Sequence, residues 1–182
     1  MLSSVEILIL SMIQGVSEFL PVSSAAHLIL VSKYYAFANQ DLLIDICLHL
    51  GSLIAIIFYF RNDLFNFIKN KKFLVKIFIG SIPIIPCGYI LYQTGIANQL
   101  RSLEIIGWMS LIFGILLLIS DRTSVTRKIE NHFNNKSALI IGLFQILALI
   151  PGVSRSGITI TSGRLLGYSR FDSARISFFL SI

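Results

Sequence analysis

The chain has 182 residues, 55% of them apolar and 13% charged, with a mean hydropathy of +0.81. A soluble globular domain carries about 25% charged residues, so that class is excluded, and length is better counted in membrane crossings. The net charge of +6 is gathered in clusters between apolar runs, which argues against nucleic acid as its partner.

The first apolar run, 3–20, is a poor cleavable signal: no basic residue precedes it, and it holds Glu6, Gln14 and Glu18. Ser4, Ser11, Gln14 and Glu18 recur at helical spacing, which predicts a polar stripe down one face. Ser4 and Ser11 suit a seam of small residues between packed helices. Glu18 does not, because an ionisable group at bilayer depth costs at least about 2.5–3.5 kcal/mol and marks a function. Pro21 breaks the helix, and Ser23 or Ser24 can cap the short run 25–32 that follows. With Ser24 as the cap, His27 falls in the first turn and its imidazole is expected close to the hydroxyl, ready for proton transfer.

Three further runs, 42–60, 73–92 and 103–120, have the roughly 20 residues a helix needs to cross a bilayer. Asp45 and His49 stand one turn apart on the first of them, where an interhelical hydrogen bond is their expected role. Cys47 and Cys87 lie in apolar runs without a partner motif and read as buried structural thiols. The run 137–150 is again too short to cross; it leads into "PGVSRSGITITSGR", the run 157–167 and a further run from about Ala174. Short pieces such as 25–32 and 137–150 are expected to be re-entrant, tolerated where protein or a cavity surrounds them.

Arg61, Lys69, Lys71, Lys72 and Lys76 separate the first two full spans, and Arg122, Arg127, Lys128 and Lys136 follow the third, whereas 93–102 holds only Arg101. Both clusters therefore fall on one side, the cytoplasmic one. Residues 33–41 are then outside, with the N-terminus if the first two helices form a hairpin. A shift of 131 positions lays "QGVSEFLPVSS" on "QILALIPGVSR", pairing Gln14 with Gln145, Val22 with Val153 and Ser23 with Ser154. The expected architecture is an all-α polytopic membrane bundle with two re-entrant hairpins in an inverted repeat. It forms a single membrane domain, with 1–136 as first repeat and 137–182 as an incomplete second. Broken helices of such repeats meet near the midplane, with helix N-termini facing an anionic ligand.

At the second break Arg155 is flanked by Ser154 and Ser156, with Thr159 one turn on. A guanidinium fork, hydroxyls and a helix N-terminus together make a phosphate cradle. The first break adds carboxylate, hydroxyl and imidazole. Phosphoryl chemistry on a lipid follows, and the lack of G-x-x-x-x-G-K-[ST] argues against nucleotide hydrolysis.

The motifs "QGVSEFLPVSSAAHL", "LHLGSLIAIIF" and "PGVSRSGITITSGRLLGYSR" resemble the undecaprenyl-diphosphate phosphatase (bacitracin-resistance) family along the whole chain. The resemblance implies a multi-pass enzyme of the bacterial inner membrane. It would hydrolyse undecaprenyl diphosphate to undecaprenyl phosphate and phosphate, recycling the cell-wall lipid carrier with a divalent cation, Mg²⁺ or Ca²⁺. Carried over by position, Glu18, Ser24, His27 and Arg155 are catalytic, and Gln14, Ser154, Ser156 and Thr159 bind substrate. Arg155 would hold the diphosphate, Glu18 the metal or the attacking water, and His27 would be general acid or base. Ser24 would be nucleophile or phosphate donor. A second lipid phosphatase superfamily pairs its S-R motif with a downstream His-x-x-x-Asp, and no His follows Arg155 here.

Ala25 and Ala26 depart from the family, which favours a small polar residue and Gly there. The family pattern also continues for roughly three more spans of ~20 residues, so the chain is expected to be a C-terminal truncation without a competent pocket of its own. A lipid transporter with the same anion pocket is the competing reading, since inverted repeats are transporter architecture. No nucleic-acid partner is expected, and a homodimer is compatible with the sequence.

Overall fold

A computed structural model describes residues 2–18, 20–37, 42–61, 64–65 and 70–181; Lys69 and the 38–41 part of the expected outer loop lie outside them. Nine helices longer than one turn run, among the described residues, as α1 Ser4–Ser17, α2 Ser24–Tyr34, α3 Leu42–Tyr59, α4 Lys71–Ser81, α5 Ile84–Gln93, α6 Leu103–Asp121, α7 Asn135–Gln145, α8 Arg155–Leu165 and α9 Arg170–Ser181. No strand occurs among these residues, only an isolated bridge between Arg127 and Tyr168.

The starts are set by capping side chains, which satisfy backbone N–H groups that have no partner inside a helix. Ser3 and Glu6 close a reciprocal box at α1: Ser3 Oγ accepts from Glu6 N at 3.3 Å, and Glu6 Oε2 accepts from Ser3 N at 2.6 Å. Asn70, Ser102, Asn134 and Ser154 each cap the helix that follows. Shifted by 131 positions, the start of α1 falls on the start of α7, and α2 falls on α8 at both ends.

Of the three expected full spans, 73–92 and 103–120 lie in stretches long and apolar enough to cross a membrane, Lys71–Gln93 and Leu103–Asp121. Only 11% of each hydropathy window is buried, so these helices are not the core of a soluble domain. The first is divided at Pro83, which lacks the N–H that would continue the ladder. At 18 residues, α3 is about 27 Å long, a little short of the ~30 Å hydrocarbon core. Trp108, Leu111, Ile112, Ile115, Leu118 and Ile119 turn outward on α6, and Val5, Leu8, Met12 and Val16 do so on α1. This is an all-α membrane protein, its apolar surface directed at lipid.

Cys47 lies on the outward face of α3 and is exposed, while Cys87 is half-buried, so neither is the buried thiol expected. Ser4 and Ser11 are also exposed, and Ser11 Oγ returns to Ile7 O at 2.7 Å. The seam expected at Ser4 and Ser11 is therefore not formed among the described residues, and of the polar stripe only Gln14 and Glu18 turn inward.

The buried cluster lies at the other end of the chain, where Ile77, Ile129, Phe133, Ile141, Tyr168, Ile176 and Leu180 meet. There α8 packs on α6, α7 and α9, and α4 packs on α7. Gly80 and Gly142 bring α4 and α7 into backbone contact; a Cβ on Gly142 would collide with Gly80 O. Arg164, buried at the end of α8, donates to Tyr168 O at 2.6 Å, Asp121 O at 2.9 Å and Thr123 O at 2.5 Å. Those bonds fasten the carbonyl end of α6 to the α8–α9 turn.

Candidate active site

The two breaks meet. Ser156 Oγ donates to Leu20 O at 3.3 Å, and Gly157 lies so close to Pro21 that an added Cβ would be 3.3 Å from its carbonyl oxygen. Gly152 makes the second turn possible: its φ is +100°, and a Cβ there would sit 2.6 Å from Ile106 O on α6.

Ser23, not Ser24, caps α2, accepting from Ala26 N at 3.3 Å. That releases Ser24, whose Oγ donates to Glu18 Oε2 at 2.8 Å. The same Oε2 accepts from Gln14 Nε2 at 2.9 Å, and Gln14 Nε2 is 3.3 Å from Ser52 Oγ on α3. Arg155, first residue of α8, brings a guanidinium nitrogen within 3.5 Å of Glu18 Oε1 and of Ser181 O. Both contacts are at the limit of bonding distance and the side chain is 41% exposed, so its donors remain available to a ligand.

Glu18, Ser24, Ser154, Arg155 and Ser156 line one cavity of about 720 Å³. Ser154 caps α8 through Gly157 N at 3.1 Å, with Ser156 Oγ 3.1 Å from its hydroxyl. Ile46, Leu50, Leu53, Ile84, Ile160 and Phe178 supply apolar wall. Polar groups gathered at one end of an apolar cavity suit an anionic headgroup with a hydrocarbon tail.

Two expected site residues stand apart. His27 does not approach Ser24: because Ser23 is the cap, the His27 ring folds back and its Nδ1 donates to Ser23 O at 2.7 Å. It is exposed and faces a second cavity of about 200 Å³, with Ser110, Phe113 and Gly152. Thr159 is 1% exposed and turned away from the cavity, with Oγ1 2.7 Å from Ser177 Oγ on α9 and 2.9 Å from Arg155 O. It fastens α8 to α9.

The imidazole beside Ser24 belongs to His49, whose Nε2 lies 3.2 Å from Ser24 Oγ and 3.6 Å from Glu18 Oε2. Its Nδ1 donates to Asp45 O at 2.8 Å, while the Asp45 carboxylate pairs with Arg101 at 2.6 Å. His49 makes the interhelical contact its spacing suggests, to Ser24 on α2, and so reaches into the site itself, whereas Asp45 pairs with Arg101 in the segment before α6. The available signal was a third polar residue, Ser52, which puts Asp45, His49 and Ser52 on one face of an otherwise apolar span. Arg101, the lone basic residue of 93–102, also lines the large cavity.

No group of three or more His, Cys, Asp or Glu side chains gathers among the described residues. The oxygens at the first break nevertheless suit a hard cation shared with substrate phosphate, which needs only one or two protein carboxylates. Glu18 offers a carboxylate beside Gln14, which is 1% exposed and whose Oε1 is buried with no partner among the described residues.

Comparison with known proteins places the chain among relatives. An undecaprenyl-diphosphatase of Pelagibacter ubique (strain HTCC1062) is 54% identical over 98% of this chain and 70% of its own. Those of Hahella chejuensis (strain KCTC 2396) and Ruegeria sp. (strain TM1040) are 43% and 40% identical, each over 97% of this chain and 71% of their own. The model of the family described as bacitracin resistance protein BacA matches residues 7–182. With residues 7–182 matched by the family model and relatives up to 54% identical over nearly the whole sequence, the chain belongs to the bacitracin resistance protein BacA family.

Proposed function

We propose that this protein is an undecaprenyl-diphosphatase, hydrolysing the lipid diphosphate to undecaprenyl phosphate and phosphate in a bacterial inner membrane that it crosses several times. Its action recycles the cell-wall lipid carrier and confers bacitracin resistance. The observation that carries the site assignment is the meeting of Glu18, Ser24 and Arg155 from two distant breaks in one cavity. Family membership supports the substrate class. The two-fold match of helix starts at a shift of 131 supports the reading of an inverted repeat.

Arg155 binds the diphosphate. Its fork can leave Glu18 for phosphate oxygens, aided by Ser154, Ser156 and the N-terminus of α8. Ser24 Oγ attacks the terminal phosphorus and passes its proton to Glu18 Oε2, already 2.8 Å away. The new P–O bond forms as the bond to the bridging oxygen breaks, and undecaprenyl phosphate leaves as an anion. Water then displaces phosphate from Ser24, whose oxygen recovers the proton from Glu18. Glu18, with Gln14 Oε1, would hold a divalent cation, Mg²⁺ or Ca²⁺, which when bound neutralises diphosphate charge. No nucleic acid enters this scheme, and a homodimer is compatible with it.

The test is phosphate release from a polyprenyl diphosphate by protein in detergent, with Mg²⁺ or Ca²⁺ and with a chelator. Release abolished by chelation is expected. No release, together with movement of labelled polyprenyl phosphate across proteoliposomes, would instead establish a transporter.

A further inference from the structure

We infer that His49 is the positioning residue of Ser24, and that the Arg101–Asp45 ion pair fixes the segment of α3 from which it acts. The inference rests on the reading of Ser24 as the attacking group. A serine in the first turn of a helix has three staggered rotamers and readily bonds back to its own backbone. Ser24 does neither. Its Oγ is drawn out of α2 by Glu18 Oε2 from the end of α1, at 2.8 Å, and by His49 Nε2 from α3, at 3.2 Å. Two partners on separate elements select one rotamer, and that rotamer places the oxygen in the cavity with Arg155.

The ring is itself held. Asp45 O can only accept, so Nδ1 carries a proton and Nε2 faces Ser24, whose one hydroxyl proton lies between Nε2 and Glu18 Oε2. Asp45 is 4% exposed, with its carboxylate on Arg101 across from α3. One residue therefore anchors the span through its carboxylate and the imidazole through its carbonyl. Glu18 cannot replace His49 in this task, since it also receives Gln14 and faces Arg155. The role needs a polar atom at a fixed reach, not a change of charge.

That requirement makes the inference testable by shape. His49→Gln keeps a polar atom of similar reach, His49→Asn is one methylene shorter, and His49→Leu has none. Steady-state hydrolysis of a polyprenyl diphosphate by each variant in detergent should show His49→Leu and His49→Asn losing kcat roughly 10- to 100-fold, as misplacing a reacting atom by about 1 Å does. KM should stay within about threefold of the parent, and His49→Gln should recover most of kcat. Should His49→Leu aggregate on size-exclusion chromatography, the Gln and Asn variants decide. Equal rates in those two, or an unimpaired His49→Leu, overturn the inference while the parent's turnover leaves the phosphatase reading standing. A parent that releases no phosphate overturns both.

Discussion

Arg155 and Glu18 contribute different things to one loose ion pair, and substitutions should separate them. Arg155→Lys keeps the charge but loses the fork. It should lose at least about 100-fold in phosphate release, roughly the loss expected when a transition-state donor is removed, with elution in detergent unchanged. Glu18→Gln should be as inactive, because Ser24 then has an amide where it needs a proton acceptor. Gln14→Glu should stay active, since a carboxylate oxygen can take the place of the amide oxygen toward the cation, and the family pattern admits either residue there. A Glu18→Gln protein with normal turnover across a metal titration would reduce Glu18 to packing. The motifs put Glu18, Ser24, Ser154, Arg155 and Ser156 in the sequence reading, and these five line the cavity. The imidazole was misplaced because capping decides it: Ser23 and Ser24 are equivalent as sequence, and only the fold selects Ser23 and so turns His27 away.

At the level of helices, the breaks were legible because Pro and Ser interrupt both apolar runs, Ser23 and Ser154 at matching positions and Pro21 and Pro151 one residue out of step. Ser23 and Ser154 cap their half-helices alike, with extended backbones at φ −75° and −73°. What a hydropathy run could not disclose was the division of 73–92 at Pro83, since proline occurs inside membrane helices as well as between them. Nor could it disclose which glycines touch. Gly142→Ala places a methyl group on Gly80 O and must separate α4 from α7. A loss of about 1–3 kcal/mol is expected, read as a lower midpoint of thermal unfolding in detergent. Gly107→Ala, with open space around it, should leave the midpoint unchanged. Arg164→Leu removes three bonds to carbonyls and leaves the buried Tyr168 O unpaired, at about 1–3 kcal/mol for that group alone, besides the loss of the part-buried bonds to Asp121 O and Thr123 O. It should therefore fall further than Gly142→Ala in the same measurement.

For the molecule as a whole, sidedness is the property that hydropathy and charge fix most directly. Single cysteines placed at Thr94 and at Arg127 in a Cys47→Ser, Cys87→Ser background should react with a charged maleimide from opposite faces of the membrane. Arg127 should be reached in inverted vesicles and Thr94 in intact cells. Labelling of both from one side would undo the assignment of the basic clusters to the cytoplasm.

The partners that complete Glu18 are separated by 137 residues of chain. Ribosomes add about 5–20 residues per second, so Glu18 reaches the membrane on the order of ten seconds before Arg155 exists. Throughout that interval the nascent chain carries the carboxylate without the guanidinium that pairs with it in the finished fold. Gln14 and Ser24, four and six residues away, are already synthesised and already bonded to it in the finished fold. They are thus its first companions during biogenesis, and the candidate site is closed only when the second break is laid beside the first.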